Sequence, residues 1–370
     1  MKKTYIYIII MFSIIVILVG LYFFIDVEAV KIDIDKNITI EINDIKYNTD
    51  YVKITNGSVV KREKIDTSKL GEQEVKIIVK DILGRRDTYT YFVEIKDTTA
   101  PKLVVKNKNL TAEIYKEIDL LDNVTVEDNS NEDITIKIEG SYHFKQTTSF
   151  NLKYTCSDSS GNTSEEEFTL KVIDQKPASD GTFTTSKGYS GIIKNGITYI
   201  DGYLIANKSY SLPSTYNPGK ILPEFQTAFD QMKSDAKNEG ISLKIVSGYR
   251  SYTTQKNLHY NYIKNQGSEK TETHSARAGY SEHQSGLAVD INKVNQSFAN
   301  TPAGKWLNAN CYKYGFIIRY PKDKTNETGY IYEPWHIRYV GRELAEKLYN
   351  DGDWITMENY FGITSEYKDK

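Results

Sequence analysis

The chain reads SEHQSGLAVD at residues 281–290 and EPWH at residues 333–336. The two stretches supply two imidazoles and two carboxylates that carry reactive chemistry: His283, Asp290, Glu333 and His336. A catalytic zinc ion takes three protein ligands from His and Asp or Glu and leaves a fourth position open for water. It also needs a nearby carboxylate that does not bind the metal and accepts the proton of that water. The pair of stretches therefore predicts a zinc-dependent hydrolase.

The residues around Asp290 alternate between apolar and polar, which predicts a β-strand on which Asp290 faces away from the core. Gly286 allows a tight turn, so His283 can fold back towards Asp290. His336 must arrive from a distant part of the chain. A lone histidine or aspartate is more often structural, but the combination favours metal binding. We therefore expect His283, Asp290 and His336 to be the metal ligands.

Glu333 lies three residues before His336, with Pro334 between them. Proline argues against a helix interior, so this is not the helical HExxH arrangement. We expect Glu333 at a turn that leads into a strand, within reach of a water molecule on the metal. Its predicted role is the general base and then the acid that protonates the leaving amine.

Arg250 comes directly after a predicted buried strand, where active-site groups often project. Its guanidinium can bind a substrate carboxylate or stabilise an oxyanion, although an arginine there can equally form a structural salt bridge. Gln255, one turn into the next helix, could donate a hydrogen bond beside Arg250. Ser281 could bind substrate or orient the His283 loop. We predict Arg250 as catalytic with Glu333, and Arg250, Gln255 and Ser281 as substrate-binding.

The C-terminal part, residues 196–370, mixes helical and strand periods. Helices are predicted at residues 222–236, 253–264 and 306–314 and around Leu344 and Leu348. Strands are predicted from residue 241 to the SGYR stretch at 247–250, at residues 287–291 and from residue 337. The order has no regular βαβ rhythm, so the predicted class is α+β.

Residues 27–174 contain an internal repeat with an offset of 77 residues. The stretch VKDILG at residues 79–84 aligns with CSDSSG at residues 156–161, and alternating strands flank both. Each copy predicts a hairpin, and further strands are predicted at residues 32–35 and 134–138. The pattern predicts two small β-sandwiches, at 27–96 and 97–174, followed by a polar linker at 175–195.

The N-terminus carries two lysines followed by about twenty uncharged residues, Ile6 to Ile25, a length that spans a bilayer. We predict a cytoplasmic stub and transmembrane anchor at residues 1–26, with the rest on the outer side of the cell membrane. A cleaved signal peptide is the alternative.

The net charge of −2 argues against a strongly basic surface of the kind that binds nucleic acid. Cys156 and Cys311 are widely spaced and read as buried apolar residues.

Residues from about 197 to 362 resemble the VanY-type D-alanyl-D-alanine carboxypeptidases, zinc peptidases of the M15 family. The resemblance runs through ordered motifs: DGYLIANK at 201–208, SGYRS at 247–251, SEHQSGLAVD at 281–290, YGFIIRYP at 314–321 and YEPWH at 332–336. It implies a Hedgehog/DD-peptidase-type fold and Zn²⁺ on His283, Asp290 and His336. It also implies a catalytic Glu333 and a substrate or transition-state Arg250. The implied substrate is the peptidoglycan stem peptide, cut at its C-terminal D-Ala.

The second repeat resembles the bacterial immunoglobulin-like modules of cell-surface proteins, through DTTAP at residues 97–101 and YTCSDSSGN at 154–162. Such modules usually act as spacers or contact the cell wall. Three functions remain open from the sequence. They are D,D-carboxypeptidase action on pentapeptides, L,D-carboxypeptidase action on tetrapeptides, and a non-catalytic wall-binding surface protein.

Overall fold

The computed structural model describes residues 2–24 and 28–367. The chain forms two compact units. The N-terminal unit comprises Met1–Lys108, Asp119–Gly140 and Asn151–Phe168, and the C-terminal unit comprises Asn109–Ile118, Ser141–Phe150 and Thr169–Lys370. Short segments of the predicted second sandwich thus belong to the C-terminal unit, so the units do not follow the domain borders predicted from the sequence.

Helix α1 (Lys2–Phe24) contains the predicted apolar segment. Its most apolar window, Thr4–Leu21, has a mean hydropathy of 2.7 and is fully exposed. The helix is about 35 Å long at 1.5 Å per residue, which is enough to cross a membrane. A signal sequence has the same properties, so both interpretations stay open. The predicted end of the anchor, residues 25 and 26, lies outside the described residues.

The region from residue 28 to residue 174 is rich in strands, as predicted. The strands are β1 (Lys31–Ile34), β2 (Thr39–Glu41), β3 (Val52–Thr55), β4 (Gly57–Val59), β5 (Gly71–Asp81), β6 (Arg86–Lys96), β7 (Lys102–Val105), β8 (Asn109–Glu113), β9 (Val124–Glu127), β10 (Lys137–Glu139), β11 (Ser149–Ser157) and β12 (Thr163–Ile173). A short 3₁₀ helix covers Leu121–Asn123. The strand predicted at 134–138 is wrong for residues 134–136, which lie outside β10.

The internal repeat has a structural counterpart. Strands β5 and β6 form the predicted antiparallel hairpin, and β11 and β12 are likewise neighbours in one sheet. The aligned side chains of both copies are buried: Val75, Ile77 and Val79 in the first, and Leu152, Tyr154 and Cys156 in the second. Both copies therefore use the same strand face for their cores.

The strands of the C-terminal unit beyond residue 174 are β13 (Gly181–Thr184), β14 (Ser190–Lys194), β15 (Ile197–Ile200), β16 (Tyr203–Ile205), β17 (Ile245–Ser247), β18 (Ala288–Ile291), β19 (Phe316–Tyr320) and β20 (Glu333–Tyr339). Strands β13 to β16 form one antiparallel sheet. The linker predicted at residues 175–195 is therefore wrong for residues 181–184 and 190–194, where glycine and serine lie within two short strands.

The helices after residue 174 are α2 (Pro223–Asn238), α3 (Tyr252–Gln266), α4 (Ser268–Glu272), α5 (Pro302–Asn310), α6 (Thr325–Thr328), α7 (Arg342–Tyr349) and α8 (Met357–Phe361). Further 3₁₀ helices cover Glu282–Ser285, Gln296–Asn300, Cys311–Tyr314 and Asn350–Gly352. The predicted helices at 222–236, 253–264 and 306–314 and the helix with Leu344 and Leu348 are confirmed. Strand β17 is shorter than predicted, because residues 241–244 are not in a strand.

The central sheet of the C-terminal unit has the strand order β17-β18-β20-β19, and all its pairs are antiparallel. Helix α2 packs on this sheet through Phe225 and Phe229, which join Val289 and Ile337 in one buried apolar core. Cys311 lies in the same core as a free thiol, and Cys156 is also free and buried, as predicted. The apolar side chains hold the four strands of this sheet in place, and polar side chains of the same strands form the candidate site.

Candidate metal centre

Three side chains predicted as metal ligands converge in the C-terminal unit. Asp290 on β18 and His336 on β20 are direct cross-strand partners. His283 lies in the 3₁₀ helix that leads into β18. All three are buried, and one ligating atom from each lies within 4.8 Å of the other two. The pairing of β18 with β20 fixes the positions of Asp290 and His336, and the turn before β18 positions His283.

The turn at Gly286 explains why His283 can reach Asp290. Gly286 has φ +73°, and a Cβ atom at this position would lie 2.7 Å from the carbonyl oxygen of Lys220. Only glycine meets both conditions without strain. The 3₁₀ helix therefore ends here and the chain enters β18 with His283 folded back over the sheet.

The two imidazoles present one nitrogen each to the centre. His283 Nε2 lies 3.4 Å from Asp290 Oδ2, and His336 Nδ1 lies 3.1 Å from Asp290 Oδ1. The opposite nitrogen of His283, Nδ1, lies 2.8 Å from the carbonyl oxygen of Gly248, an acceptor that requires a proton on Nδ1. This bond leaves the lone pair of Nε2 facing the centre, the arrangement typical of metal-bound histidines.

Glu282 faces the outer nitrogen of His336, and no role was predicted for this residue. Its Oε2 lies 3.5 Å from His336 Nε2, while its Oε1 accepts hydrogen bonds from Arg319 at 2.8 Å and Arg338 at 3.2 Å. Burial opposes ionisation, but the two guanidinium groups outweigh it and lower the pKa of Glu282. Glu282 is thus a buried carboxylate held ionised beside His336. The only feature of the sequence that could have indicated this role is that Glu282 directly precedes His283.

Glu333 is the first residue of β20, so it lies in the strand itself and not at a turn before it, and β20 begins four residues earlier than predicted. Its Oε2 lies 3.9 Å from His336 Nδ1, at the edge of the three-residue cluster. Burial raises the pKa of Glu333 to about 8; Asp290 and Glu282 raise it further, while His336 and Arg250 oppose the shift. A carboxyl group with this pKa can exchange a proton near neutral pH.

Arg250 is fixed from two sides beside the cluster. Its guanidinium donates to Ser247 Oγ at 3.0 Å and to Gln255 Oε1 at 2.7 Å. The amide of Gln255 also donates to the carbonyl oxygen of Ala276 at 2.6 Å. Both ends of the Gln255 amide are therefore engaged with the protein, and the amide nitrogen keeps one further N–H group. Ser281 is buried next to His283 and Glu282.

These residues line one cavity of about 330 Å³. The cavity contains all the predicted site residues together with residues that the sequence did not single out as functional. The lining residues are Arg250, Gln255, Leu258, Tyr262, His274, Ser275, Ala276, Ser281, Glu282, His283, Asp290, Val294, Tyr320, Tyr330, Ile331, Glu333, Trp335 and His336. The site thus combines a metal-type cluster, a buried carboxyl group and a guanidinium around a space of ligand size.

Comparison with known proteins gives consistent matches for this part of the chain. Residues 219–342 match the family model described as VanY: D-alanyl-D-alanine carboxypeptidase. YodJ of Bacillus subtilis (strain 168), which carries the name of a carboxypeptidase, is 37% identical over 246 residues, covering 56% of this chain and 89% of YodJ. The D-alanyl-D-alanine carboxypeptidase of Enterococcus faecium is 45% identical over 146 residues, covering 39% of this chain and 45% of that protein.

Solved structures of similar proteins include the LdcB LD-carboxypeptidase. It is 38% identical with a TM-score of 0.42, covering 47% of this chain and 93% of LdcB. VanYB in complex with D-alanine-D-alanine is 34% identical with a TM-score of 0.37, covering 42% of this chain and 94% of that one. The family model spans every residue of the cluster, and YodJ is matched over nearly nine tenths of its length. The chain belongs to the VanY family of D-alanyl-D-alanine carboxypeptidases.

Proposed function

We propose that this VanY-family enzyme is a zinc-dependent carboxypeptidase that removes the C-terminal D-alanine from peptidoglycan stem peptides. The observation that carries the proposal is the convergence of His283, Asp290 and His336 in one buried cluster with Glu333 at its edge. The names of the similar proteins support the substrate class, because several of them are D-alanyl-D-alanine carboxypeptidases.

The donor set fits zinc. Two imidazole nitrogens and one carboxylate form a usual ligand set of catalytic zinc. His283 Nε2, Asp290 and His336 Nδ1 would hold the ion, with Gly248 and Glu282 orienting the two rings from outside. When bound, zinc supplies Lewis acidity, which polarises a scissile carbonyl and lowers the pKa of water to about 7.

Glu333 moves the protons in the proposed reaction. In its ionised form the carboxylate accepts a proton from the attacking water and then delivers it to the nitrogen of the departing D-alanine. Burial holds the pKa of Glu333 at about 8, so the group can both accept and return a proton near neutral pH. The same burial keeps bulk water away from the reacting atoms.

Arg250 holds negative charge in the proposed reaction. Its hydrogen bonds to Ser247 and Gln255 fix the guanidinium plane and leave further N–H groups for an anionic partner. That partner is the terminal carboxylate of the substrate or the oxyanion that develops during cleavage. Gln255 then positions Arg250, and Ser281 supplies a polar wall for the substrate.

The proposed place of action is the outer side of the cell membrane. Helix α1 would anchor the chain, and the two repeats, as Ig-like modules, would hold the enzyme near the cell wall. The apolar window of α1 and the duplicated hairpins support this layout.

The test uses the full chain with defined pentapeptide and tetrapeptide stems, analysed by mass spectrometry with and without a zinc chelator. We expect loss of one D-alanine from the pentapeptide, abolished by the chelator and restored by zinc. Cleavage of the tetrapeptide alone would favour the L,D-carboxypeptidase alternative, and no cleavage of either stem would favour a wall-binding protein. Elemental analysis of His283→Ala should show no zinc; full zinc content would contradict the ligand assignment.

A further inference from the structure

A second group of acidic side chains converges in the N-terminal unit. Asp97 directly follows β6, Glu132 lies in the loop after β9, and Asp158 directly follows β11. One carboxylate oxygen from each lies within 4.8 Å of the other two. Three chain segments that are distant in sequence therefore bring three negative charges together.

The two aspartates of the cluster are buried, and one of their oxygen atoms has no hydrogen-bond partner. Asp97 is 7% exposed and Asp158 is 8% exposed. Asp97 Oδ1 accepts a hydrogen bond from the Thr99 backbone amide, but Asp97 Oδ2 is buried with no hydrogen-bond partner. Burying a carboxylate oxygen without a partner costs free energy, so a cation bound at this atom would stabilise the fold.

The loop that carries Glu132 adds more oxygen atoms of the same kind. Asp128 Oδ1 and Asn129 Oδ1 are also buried without a hydrogen-bond partner. Asp128 lies close enough to interact electrostatically with Asp97. Burial raises the pKa of Asp97, the charges of Asp158 and Asp128 and the side chain of Glu41 raise it further, and the Thr99 backbone amide opposes the shift. Across residues 28–367, no lysine, arginine or histidine forms an ion pair with any of these acids.

The internal repeat provides a matched comparison for Asp158. At the 77-residue offset its counterpart is Asp81, and the counterpart of Asn162 is Arg85. Arg85 Nε contacts Asp81 Oδ2 at 2.5 Å, so the first turn neutralises its own aspartate. In the second turn the neutral Asn162 donates to both oxygens of Asp158 at 2.8 Å and adds no charge.

The counterpart of Asp97 is Asp174, and it too has a cation. Lys256 Nζ lies 3.0 Å from Asp174 Oδ1. Each aspartate of the cluster therefore has a repeat-related aspartate that is paired with a basic side chain. Only the aspartates that converge on Glu132 lack one, although they are buried.

We propose that Asp97, Glu132 and Asp158, with oxygen atoms of Asp128 and Asn129, bind a calcium ion. Calcium takes six to eight oxygen ligands from carboxylates and carbonyl groups in flexible geometry, and this cluster offers only oxygen. Zinc requires nitrogen or sulfur ligands for tight binding, and magnesium requires nearly octahedral geometry. A cleft of about 660 Å³ lined by Glu132 and Asp158 gives the ion a path from solvent.

The first test is calcium titration of the zinc-loaded full chain by isothermal titration calorimetry, with magnesium in a parallel arm. We expect a Kd of about 10⁻⁴–10⁻³ M, the range of extracellular calcium modules. Asp97→Asn and the partly exposed Glu132→Gln should each weaken binding by more than about tenfold, since each removes a charged ligand. Asp81→Asn, which changes the paired turn, should bind calcium like the wild type. No heat of binding at about 10 mM calcium, or equal binding of magnesium, would overturn the proposal.

The second test is thermal unfolding of the same proteins in EGTA and in calcium. In EGTA, Asp97→Asn should unfold at the same temperature as the wild type or higher, because it relieves repulsion among buried like charges. In calcium the order should reverse, since only the wild type gains from the ion. Asp81→Asn should lower the unfolding temperature equally in both media. An equal loss for Asp97→Asn in both media would show a structural hydrogen-bonding role and overturn calcium binding.

Discussion

Among the residues that the structure describes, two clusters bring three potential metal ligands together, and the clusters differ in how the outer atoms of their side chains are held. In the C-terminal unit, His283 Nδ1 donates to the Gly248 carbonyl, and His336 Nε2 faces Glu282. In the N-terminal unit, Asp97 Oδ2 has no hydrogen-bond partner. The protein therefore orients both imidazoles through their outer nitrogens before a metal arrives, whereas one oxygen of Asp97 is left without an orienting hydrogen bond.

This difference predicts two kinds of metal dependence. The preoriented nitrogen site should bind a borderline-soft ion tightly and serve catalysis. The all-oxygen cluster should bind a hard ion weakly and gain stability from it.

Glu333→Gln should lower kcat by about 10²–10⁴-fold, because the amide cannot accept the proton of water. Zinc content should stay at the wild-type level, since Glu333 lies at the edge of the three-residue cluster. Steady-state kinetics and elemental analysis measure the two effects. Glu346→Gln, on the exposed face of α7, is the matched control. Near-normal turnover of Glu333→Gln would remove Glu333 from the reaction.

Glu282→Gln should weaken zinc binding by about 10–100-fold, the usual effect of losing a carboxylate behind a metal-bound histidine. The measurement is competition with a chromophoric chelator. Calcium-dependent unfolding of the N-terminal unit should not change, because Glu282 belongs to the other cluster. Unchanged zinc affinity would show that Glu282 only balances Arg319 and Arg338.

Zinc affinity should fall by about tenfold for each pH unit between about pH 8 and pH 6. Burial lowers the pKa of the metal-free His336, but Asp290 and Glu282 outweigh it and raise this pKa to about 9. Below that pH the ring carries a proton that an ion must displace, so binding weakens as pH falls. Calcium affinity should change much less over this interval, because the oxygen cluster contains no imidazole. A flat zinc profile would contradict the displaced proton.

Gln255→Ala should lower kcat/KM by about fivefold, which corresponds to a hydrogen bond of about 1 kcal/mol. The substitution frees the Arg250 guanidinium on one side without removing its charge. Asn257→Ala, an exposed change on the same helix, is the control. Wild-type kinetics for Gln255→Ala would show that Ser247 alone positions Arg250.

The two regions also differ in how far the sequence predicted them. The strand around Asp290, the turn at Gly286 and the distant His336 follow from local spacing and donor chemistry. The role of Glu282 does not, because it depends on Arg319 and Arg338, which lie 37 and 56 residues away. The hydrogen bond from the Gln255 amide to the carbonyl oxygen of Ala276, 21 residues away, is also non-local. No sequence period reports which side chains meet across such distances.

The predicted linker and the acidic cluster of the N-terminal unit are two further features that local sequence patterns did not predict. Strands β13 and β14 are short and contain Gly181, Ser190 and Gly191, so they lack the regular apolar alternation that indicates a strand. The repeat can be recognised from its spacing in the sequence. The effect of having Asn162 in place of Arg85 depends on Asp97 and Glu132, which lie beside Asp158 only in the folded chain. Charge balance depends on the neighbours in space.

The cross-strand pairing of Asp290 with His336 ties ion binding to the alignment of the central sheet. A slip of β20 by one residue would turn His336 to the opposite face and bring Trp335 or Ile337 opposite Asp290. A chain that misaligned these strands while folding would lack one of the three donors. The zinc-to-protein ratio of a preparation would then report the fraction of molecules whose strands are correctly aligned, even before any substrate is added.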